Sequence, residues 1–172
     1  MKDAEVSEWF ERYGAMVFRR ARALLGSEDE AKDVVQEVFV SAFTKLGRFD
    51  RSKGAASTWL YRVTTNRCLN LIRDRRRRGE ILSDAEVGPT AASSASVEDK
   101  IQLARLLSAV EPRCAEAAVY VLMDGMSHAE AAELLGVSRR TVGNLLLDFH
   151  RQIAALEPSR SPAPVLATEE LP

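Results

Sequence analysis

Residues 127–142 read SHAEAAELLGVSRRTV, and this stretch predicts two helices joined by a tight turn. Gly136 can adopt the left-handed conformation that such a turn needs, and Ser138 is a typical N-cap for the second helix. Ala132 is small where the two helices would cross, and Val137 would fill the space between them. The stretch therefore predicts a helix-turn-helix. An ordinary helical hairpin is the alternative, because amphipathic helices rich in Ala and Leu are common.

The second helix of this motif has two different faces. Its apolar face comprises Val142, Leu145, Leu146, Phe149 and Ile153. The opposite face, where a DNA major groove would lie, comprises Arg140, Thr141, Asn144, Leu147, Asp148 and Arg151. This division makes a nucleic-acid partner the first functional hypothesis that the residues suggest.

Charge is distributed unevenly along the chain of 172 residues, although the formal net charge is only -1. Residues 45–78 carry 11 Lys/Arg and 2 Asp/Glu, whereas residues 79–99 carry 5 acidic residues and no basic ones. Residues 1–44 and 100–172 are mildly acidic, with net charges of -3 and -2. Because salt screens charges beyond about 8–10 Å, a polyanion responds to the local surplus rather than to the total. Residues 45–78 are therefore a candidate phosphate-binding surface.

The spacing of apolar residues predicts an all-α protein with two small helical domains. Residues 1–78 are expected to form an N-terminal domain of three to four helices. Residues 79–99 shift to Ala, Ser, Gly and acidic residues, a composition typical of a flexible linker. The helix-turn-helix falls in a second domain, 100–156, and the Pro-containing tail 157–172 is expected to be disordered.

Several functional classes are disfavoured by what the sequence lacks. No apolar run reaches the roughly 18–20 residues of a membrane span, and the first residues do not resemble a secretory signal. Cys68, Cys114, His128 and His150 are not at metal-ligand spacing, so no metal or other cofactor is expected. No carboxylate pair, activated nucleophile or Gly-rich phosphate loop indicates an enzyme. The expectation is a reduced, cytoplasmic and non-catalytic protein.

Four motifs, in order along the chain, resemble those of bacterial sigma-70 family sigma factors, and most closely those of the extracytoplasmic-function (ECF) group. They are Asp33-Val34-Val35-Gln36-Glu37-Val38-Phe39, Trp59-Leu60-Tyr61-Arg62, Val110-Glu111-Pro112-Arg113 and the helix-turn-helix. The resemblance implies a sigma region 2-like domain followed by a region 4-like domain. It also implies a subunit that binds core RNA polymerase and directs promoter recognition, DNA melting and transcription initiation.

In the N-terminal domain, the resemblance implies one surface for the polymerase and one for DNA. Asp33, Gln36 and Glu37 match polar positions that contact a coiled coil of the polymerase clamp; without the resemblance they would be a solvated helix face. The residues that match the reader of the minus-ten promoter element are Phe49, Tyr61, Arg62, Asn66, Arg67, Arg73, Arg75, Arg76, Arg77 and Arg78.

Within that minus-ten set, Phe49, Tyr61 and Asn66 would form a pocket for a base that has left the stack, and the arginines would hold phosphates of the nontemplate strand. Simpler structural roles remain open for some of these positions. Trp59 and Tyr61 could be core aromatics, and residues 75–78 could be a solvated helix end that binds nothing.

The resemblance assigns the minus-thirty-five promoter element to the helix-turn-helix. The positions expected to contact it are Ser138, Arg139, Arg140, Thr141, Asn144 and Arg151. The second helix departs from the family pattern, because Gly143-Asn144-Leu145 stands where a Lys-Ser-Arg run is typical. Since specific binding needs phosphate anchors as well as contacts to base edges, we expect weaker or unusual minus-thirty-five recognition.

Core RNA polymerase, promoter DNA and a regulating anti-sigma factor are the partners that the resemblance implies. The acidic linker would thread toward the polymerase active centre, or it would be an inert spacer. The competing hypothesis is an autonomous helix-turn-helix transcriptional regulator that binds duplex DNA without core polymerase. It predicts tight binding to intact duplex by the protein alone, and the motif at residues 59–66 favours the sigma factor instead.

Overall fold

The computed structural model describes residues 2–45, 56–79 and 97–156, and within these ranges every regular element is a helix. The N-terminal half contains three helices: α1 (Lys2–Leu25), α2 (Glu28–Lys45) and α3 (Ala56–Arg78). The C-terminal half contains α4 (Val97–Ala109), α5 (Pro112–Ala118), a π-helical segment (Val119–Met123), α6 (His128–Leu135) and α7 (Arg139–Leu156). The all-α prediction is confirmed.

The N-terminal half is a bundle in which α1, α2 and α3 pack against one another. The turn from α1 to α2 is made by Gly26 at φ 75, and the Ser27 hydroxyl accepts a hydrogen bond from the Glu30 backbone N–H. The side chains of the bundle that are at most 1% exposed include Val17, Ala21, Val34, Val38, Leu60, Thr64, Cys68 and Ile72. The bundle therefore fixes α3 as a rigid element whose remaining faces are available for other contacts.

Helix α5 begins where the sequence offers a strong N-terminal cap. Glu111 accepts hydrogen bonds from the backbone N–H groups of Arg113 and Cys114, at 3.0 and 3.1 Å, and Pro112 occupies the first helical position. The chain then continues into the π-helical segment, where the Asp124 N–H bonds to the Val119 carbonyl five residues earlier. This segment places Tyr120 and Asp124 on the side of the chain that faces the N-terminal half.

The predicted helix-turn-helix is confirmed in α6 and α7. Ser127 and Glu130 form a reciprocal capping box at the start of α6. Gly136 ends α6 at φ 68, ψ 37, and the Val137 N–H bonds back to the Ala132 carbonyl at 3.0 Å. The hydroxyl of Ser138 accepts from the Thr141 N–H at 3.1 Å, as expected of an N-cap.

The two halves are in direct contact, because α3 packs against α4 and α5 as well as against α1 and α2. One continuous apolar cluster includes Leu60 and Ile72 from the N-terminal half and Leu107 and Tyr120 from the C-terminal half. Helix α4 begins at Val97, within the last residues of the predicted linker. The rest of that linker from residue 80, and the predicted tail, lie outside the described residues.

Candidate nucleic-acid interface

The predicted minus-ten residues Tyr61, Arg62 and Asn66 lie on α3, and polar side chains of the C-terminal half contact all three. The Tyr61 hydroxyl donates to Oδ2 of Asp124 at 2.8 Å. Nε of Arg62 lies 3.8 Å from Oε1 of Glu116, and Asn66 also hydrogen-bonds to the Glu116 carboxylate. The structure therefore brings these three residues together, at the boundary between the two halves.

Asp124 is held by a residue that sequence reasoning missed. The Arg20 guanidinium donates twice to the Asp124 carboxylate, at 2.6 and 2.8 Å, and its Nε donates to Oγ1 of Thr65 at 3.1 Å. The same guanidinium lies 4.4 Å above the centroid of the Tyr61 ring. Only 7% of the Arg20 side chain and 12% of the Asp124 side chain are exposed. We call Arg20, Tyr61, Thr65 and Asp124 the Asp124 cluster.

Burial keeps the Tyr61 phenol protonated within this cluster. Burial raises the pKa of Tyr61 to about 12, partly opposed by the Arg20 guanidinium, and the hydrogen bond to Asp124 raises it further. A phenol with that pKa stays a hydrogen-bond donor at neutral pH. One face of its ring is covered by Arg20, and the Tyr120 ring lies 6.2 Å away.

Glu116 is a second buried carboxylate between the halves. The residue is 7% exposed, and burial raises its pKa above the ordinary value, an effect that Arg62, Tyr120 and Asn66 partly oppose. The Tyr120 hydroxyl donates to Oε1 of Glu116 at 3.3 Å. We call Arg62, Asn66, Glu116 and Tyr120 the Glu116 cluster. The two clusters place acidic groups of the C-terminal half against the predicted DNA-binding face of α3.

Arg67 points toward α2 instead. It forms a bidentate ion pair with Glu37, in which Nη2 donates to Oε1 at 2.8 Å, and the pairing raises the pKa of Arg67. A groove of about 300 Å³ runs beside this pair, and its lining residues are Glu37, Val38, Ser41, Val63, Asn66, Arg67 and Asn70. Glu37, which is predicted to contact the polymerase, is therefore paired with Arg67, which is predicted to contact DNA.

The arginine-rich end of α3 is also engaged locally. Nη1 of Arg73 donates to Asn70 at 2.8 Å, and burial lowers the pKa of Arg73. Arg75 forms an ion pair with Glu30 of α2, and Nη2 of Arg77 lies 3.3 Å from Oδ1 of Asp74. The residues at positions 76–78 are exposed. Phe49, predicted as a wall of the base pocket, lies outside the described residues, so the pocket prediction stays a prediction.

The predicted polymerase face lies on α2. Asp33, Gln36 and Glu37 are exposed. Val40 and Phe43, on the same helix, are large apolar side chains that are 65% and 43% exposed. Val40 and Phe43 are three positions apart, so both lie on one side of α2. The polymerase contact at Asp33, Gln36 and Glu37 stays a prediction.

The predicted minus-thirty-five residues lie on or at the start of α7. Ser138, Arg139, Arg140 and Asn144 are exposed, and Thr141 is half-buried and hydrogen-bonded to Ser138. A surface groove of about 700 Å³ is lined by His128, Arg139, Arg140, Gly143, Asn144, Leu146, Leu147 and His150. Arg151 lies in the second half of α7, away from Arg139 and Arg140, and its Nη1 forms an ion pair with Oδ1 of Asp148 at 3.0 Å.

Sequence reasoning missed Arg20, Glu116 and Asp124, although two of them carry a local signal. Arg20 interrupts the apolar stripe that contains Val17, Ala21 and Leu24, and Glu116 lies within an Ala-rich buried run. A charged residue at a core position requires a partner, because an unpaired buried charge is very costly. The sequence does not indicate that Asp124 is the partner of Arg20, because the two residues are 104 positions apart.

The described residues offer neither a membrane span nor a cluster of metal ligands. None of their helices combines the length and apolar character needed to cross a membrane, and they contain no group of three or more His, Cys, Asp or Glu side chains arranged to hold a metal ion. Cys68 and Cys114 are buried thiols, and burial raises their pKa values to about 12 and about 11. Such thiols remain protonated and unreactive.

Two family matches divide the chain in the same order as the two halves. Residues 9–78 match the sigma-70 region 2 family, and residues 100–147 match the sigma-70, region 4 family. Over 150 residues the chain is 35% identical to the ECF RNA polymerase sigma factor SigM of Mycobacterium tuberculosis, covering 86% of this chain and 74% of that protein. It is 29% identical over 160 residues to the ECF RNA polymerase sigma factor SigW of Bacillus subtilis, covering 84% and 82%.

Two solved structures have a similar fold. CnrH in complex with the cytosolic domain of CnrY matches with a TM-score of 0.56 and 25% identity, over 92% of this chain and 91% of that chain. The sigma factor RpoE in complex with the anti-sigma factor NepR from Bartonella quintana matches with a TM-score of 0.53 and 20% identity, over 94% and 100%. These two structures show the likeness of fold. The two family matches and the SigM identity confirm the resemblance drawn from the four motifs: the chain belongs to the sigma-70 family, as a sigma factor of the ECF group.

Proposed function

We propose that this sigma factor binds core RNA polymerase through α2 and reads the two promoter elements with α3 and α7. The observation that carries the proposal is the pairing, on one chain, of a region 2 match that includes the basic helix α3 with a region 4 match that includes a helix-turn-helix. The protein acts as a specificity subunit without catalysis of its own, and its site of action is the cytoplasm.

At the minus-ten element, α3 supplies the groups that strand opening requires. A base can be captured only after it leaves the stack, which costs a few kcal/mol, and aromatic stacking with amide hydrogen bonds offsets that cost. Tyr61 and Asn66, five residues apart on α3, have these chemistries. Arg62, Arg67, Arg73 and the arginines at 75–78 would hold the backbone of the nontemplate strand.

At the minus-thirty-five element, α7 supplies few cations. Arg139 and Arg140 stand exposed at its start, next to the Ser138 cap. Arg140, Thr141 and Asn144 are the side chains placed to reach base edges, and Leu147, which is 58% exposed, could pack on a thymine methyl. Because phosphate anchors are sparse, we expect this element to contribute less to promoter affinity than the family pattern would provide.

Core polymerase and an anti-sigma factor would share the α2 surface. The exposed polar residues at 33, 36 and 37 lie on the same helix as exposed Val40 and Phe43, which suits a protein partner. The two structurally similar sigma factors are complexed with CnrY and with the anti-sigma factor NepR. An antagonist of that kind is therefore proposed for this chain.

Run-off transcription with core polymerase and a library of genomic fragments tests the function. We expect start sites that appear only when the protein is added and that disappear in an Asp33→Ala/Gln36→Ala variant with reduced core binding. A Glu133→Ala variant, changed at an exposed position on α6, is the control. Tight and specific binding to intact duplex by the protein alone, without any dependent start site, would favour the autonomous regulator.

A further inference from the structure

Both histidines of the chain lie in the helix-turn-helix. His128 is the first residue of α6, His150 lies in the second half of α7, and both are exposed. Although they come from different helices, they line the same groove of about 700 Å³ as Arg139 and Arg140. The sequence contains no other histidine. Because histidine ordinarily changes its charge between about pH 5 and pH 8, the positive charge of this groove depends on pH.

The groove follows one side of α7. Arg140 near one end of this side and His150 near the other are about 15 Å apart along the axis, since each residue of an α-helix rises by about 1.5 Å. The major groove of DNA is about 12 Å wide, so side chains at the two ends can reach phosphates on both of its edges. The lining residues on this helix are Arg139, Arg140, Gly143, Asn144, Leu146, Leu147 and His150.

A hydrogen bond within α7 fixes the proton position on the His150 ring. Its Nδ1 lies 2.7 Å from the carbonyl oxygen of Leu146. A carbonyl oxygen only accepts, so Nδ1 carries the hydrogen, and Nε2 of the neutral ring is left as an acceptor. A phosphate oxygen is also an acceptor and cannot bond to Nε2 in that form. Protonation of the ring turns Nε2 into a charged donor, and a contact with phosphate then becomes a charge-assisted hydrogen bond.

Arg139 and Arg140 determine how the groove responds to an anion. Without an anion, these guanidinium groups oppose a further positive charge on the two histidines that share the groove with them. A phosphate reverses this effect, because its negative charge favours the protonated rings. Binding of phosphate and protonation of the histidines are therefore coupled, and each strengthens the other.

Carboxylates close to the histidines in the sequence are held by other groups. Glu130 of α6 accepts a hydrogen bond from the Ser127 N–H at 2.8 Å, and Asp148 of α7 forms its ion pair with Arg151. The other charged residues of α5, of α6 and of the chain around them are the N-cap Glu111, the exposed Arg113 and Glu133, and the two carboxylates that lie against α3, Glu116 and Asp124. The anion that would favour protonated histidines is therefore one that a ligand supplies.

We propose that His128 and His150 are phosphate-binding residues of the minus-thirty-five interface, and that their protonation makes the protein bind this element more tightly as the pH falls. The inference rests on the proposed function of α7. Two titratable side chains here take the place of permanent cations on a helix that has few of them. Histidine is ordinarily neutral above about pH 7, so the affinity is lowest there and rises as the rings take up protons.

Binding of the holoenzyme to a promoter fragment, taken from the run-off experiment, tests the proposal at about pH 6 and about pH 8. The ratio between the affinity of the unmodified protein and that of His128→Gln/His150→Gln should be about tenfold higher at the lower pH. The slope of log affinity against log salt should also be steeper for the unmodified protein at the lower pH, by about one for each histidine. Both side chains are exposed, so circular dichroism should show unchanged helix content in the variant.

A permanent charge at the same position gives the opposite test. His150→Arg should bind the promoter more tightly than the unmodified protein at about pH 8, and its affinity should depend less on pH. Glu133→Gln, changed at an exposed position of α6, is the matched control and should keep the full pH dependence. Equal pH dependence in the unmodified protein and the double variant would overturn the proposal. Weaker binding by folded His150→Arg at both pH values would remove His150 from the interface.

Run-off transcription separates this inference from the proposed function. Dependent start sites, together with the same pH dependence in the double variant, would refute only the role of the histidines. If no start site depends on the protein, the same comparison is made with the full chain alone on intact duplex DNA. A ratio that rises there as the pH falls would keep the histidines as phosphate-binding residues and refute the sigma factor function. A constant ratio, or no binding, would refute both.

Discussion

Arg67 of α3 donates to the carboxylate of Glu37 of α2, with Nη2 to Oε1 at 2.8 Å, and so links the proposed DNA surface to the proposed polymerase surface. Both side chains are partly exposed, at 36% and 47%. An ion pair at this level of exposure contributes little to stability, because water and salt screen it. The pair is better suited to orienting Arg67 than to holding α2 and α3 together.

The first prediction separates these two roles. Arg67→Ala should lower the free energy of unfolding by less than about 1 kcal/mol, yet it should weaken promoter binding by the holoenzyme. Urea denaturation and promoter retention at increasing salt are the two measurements. Arg67→Lys, which keeps the charge but loses the bidentate geometry, should retain most phosphate binding. A large loss of stability with normal promoter binding would assign Arg67 a purely structural role.

The second prediction concerns base recognition by α7. Arg140→Ala should weaken promoter binding by the holoenzyme by about 1–3 kcal/mol, and it should relax preference at one position of the minus-thirty-five element. Arg105→Ala on α4 is the matched control, since it removes an exposed arginine from the same half. Competition titrations with promoter variants give both quantities. Equal affinities for the Arg140 and Arg105 variants would remove Arg140 from the interface.

The third prediction uses the buried carboxylate of Glu116. Its pKa is raised above 4.5, chiefly by burial, so the folded state binds this proton more tightly than the unfolded state does. The favourable contribution is complete below about pH 4.5 and is lost as the pH rises through the folded pKa. The stability of Glu116→Gln, relative to the unmodified protein, should therefore increase as the pH rises above 4.5. Urea unfolding of both proteins across this range checks the sign, and a pH-independent difference would contradict it.

The fourth prediction compares two glycines of the helix-turn-helix. Gly136 has φ 68, so Gly136→Ala should destabilise the protein by about 1–2 kcal/mol through backbone strain alone. Gly143 lies inside α7, and no described atom outside its own helical surroundings would meet an added Cβ within 4 Å. Gly143→Ala should therefore stabilise the protein by about 0.5–1 kcal/mol. Thermal unfolding of the two variants should show shifts of opposite sign.

The parts of the fold that could be predicted from sequence are those fixed by local spacing. The turn at Gly136 and the cap at Ser138 follow from residues within a few positions of each other, and the buried faces of α1 and α3 follow from helical periodicity. The sites were harder to predict. The net charge of a segment shows that it is rich in arginine, but it does not show which acidic residue each arginine pairs with. The charge of residues 45–78 therefore identified the arginines of α3 without indicating that Arg67 and Arg75 have carboxylate partners on α2.

The contact between the halves could not be predicted at all. It depends on Arg20, Tyr61 and Asp124, which are brought together from three distant parts of the chain. Hydrophobic periodicity specifies which side of each helix is buried, but it does not specify which distant helix covers it. Trp59 illustrates the same point, since its ring lies 6.3 Å from that of Trp9 in the N-terminal bundle.

The π-helical segment at Val119–Met123 sets the rotational phase of the chain that follows it. One extra residue in a helical turn rotates every later side chain by about 100° relative to a continuous α-helix. With this rotation, the side chains of Tyr120 and Asp124 both lie next to Tyr61 of α3. Deleting one residue from the segment would turn Asp124 away from Arg20 while leaving the composition of the interface almost unchanged. The length of a single turn thus decides whether the Asp124 carboxylate can reach the Arg20 guanidinium.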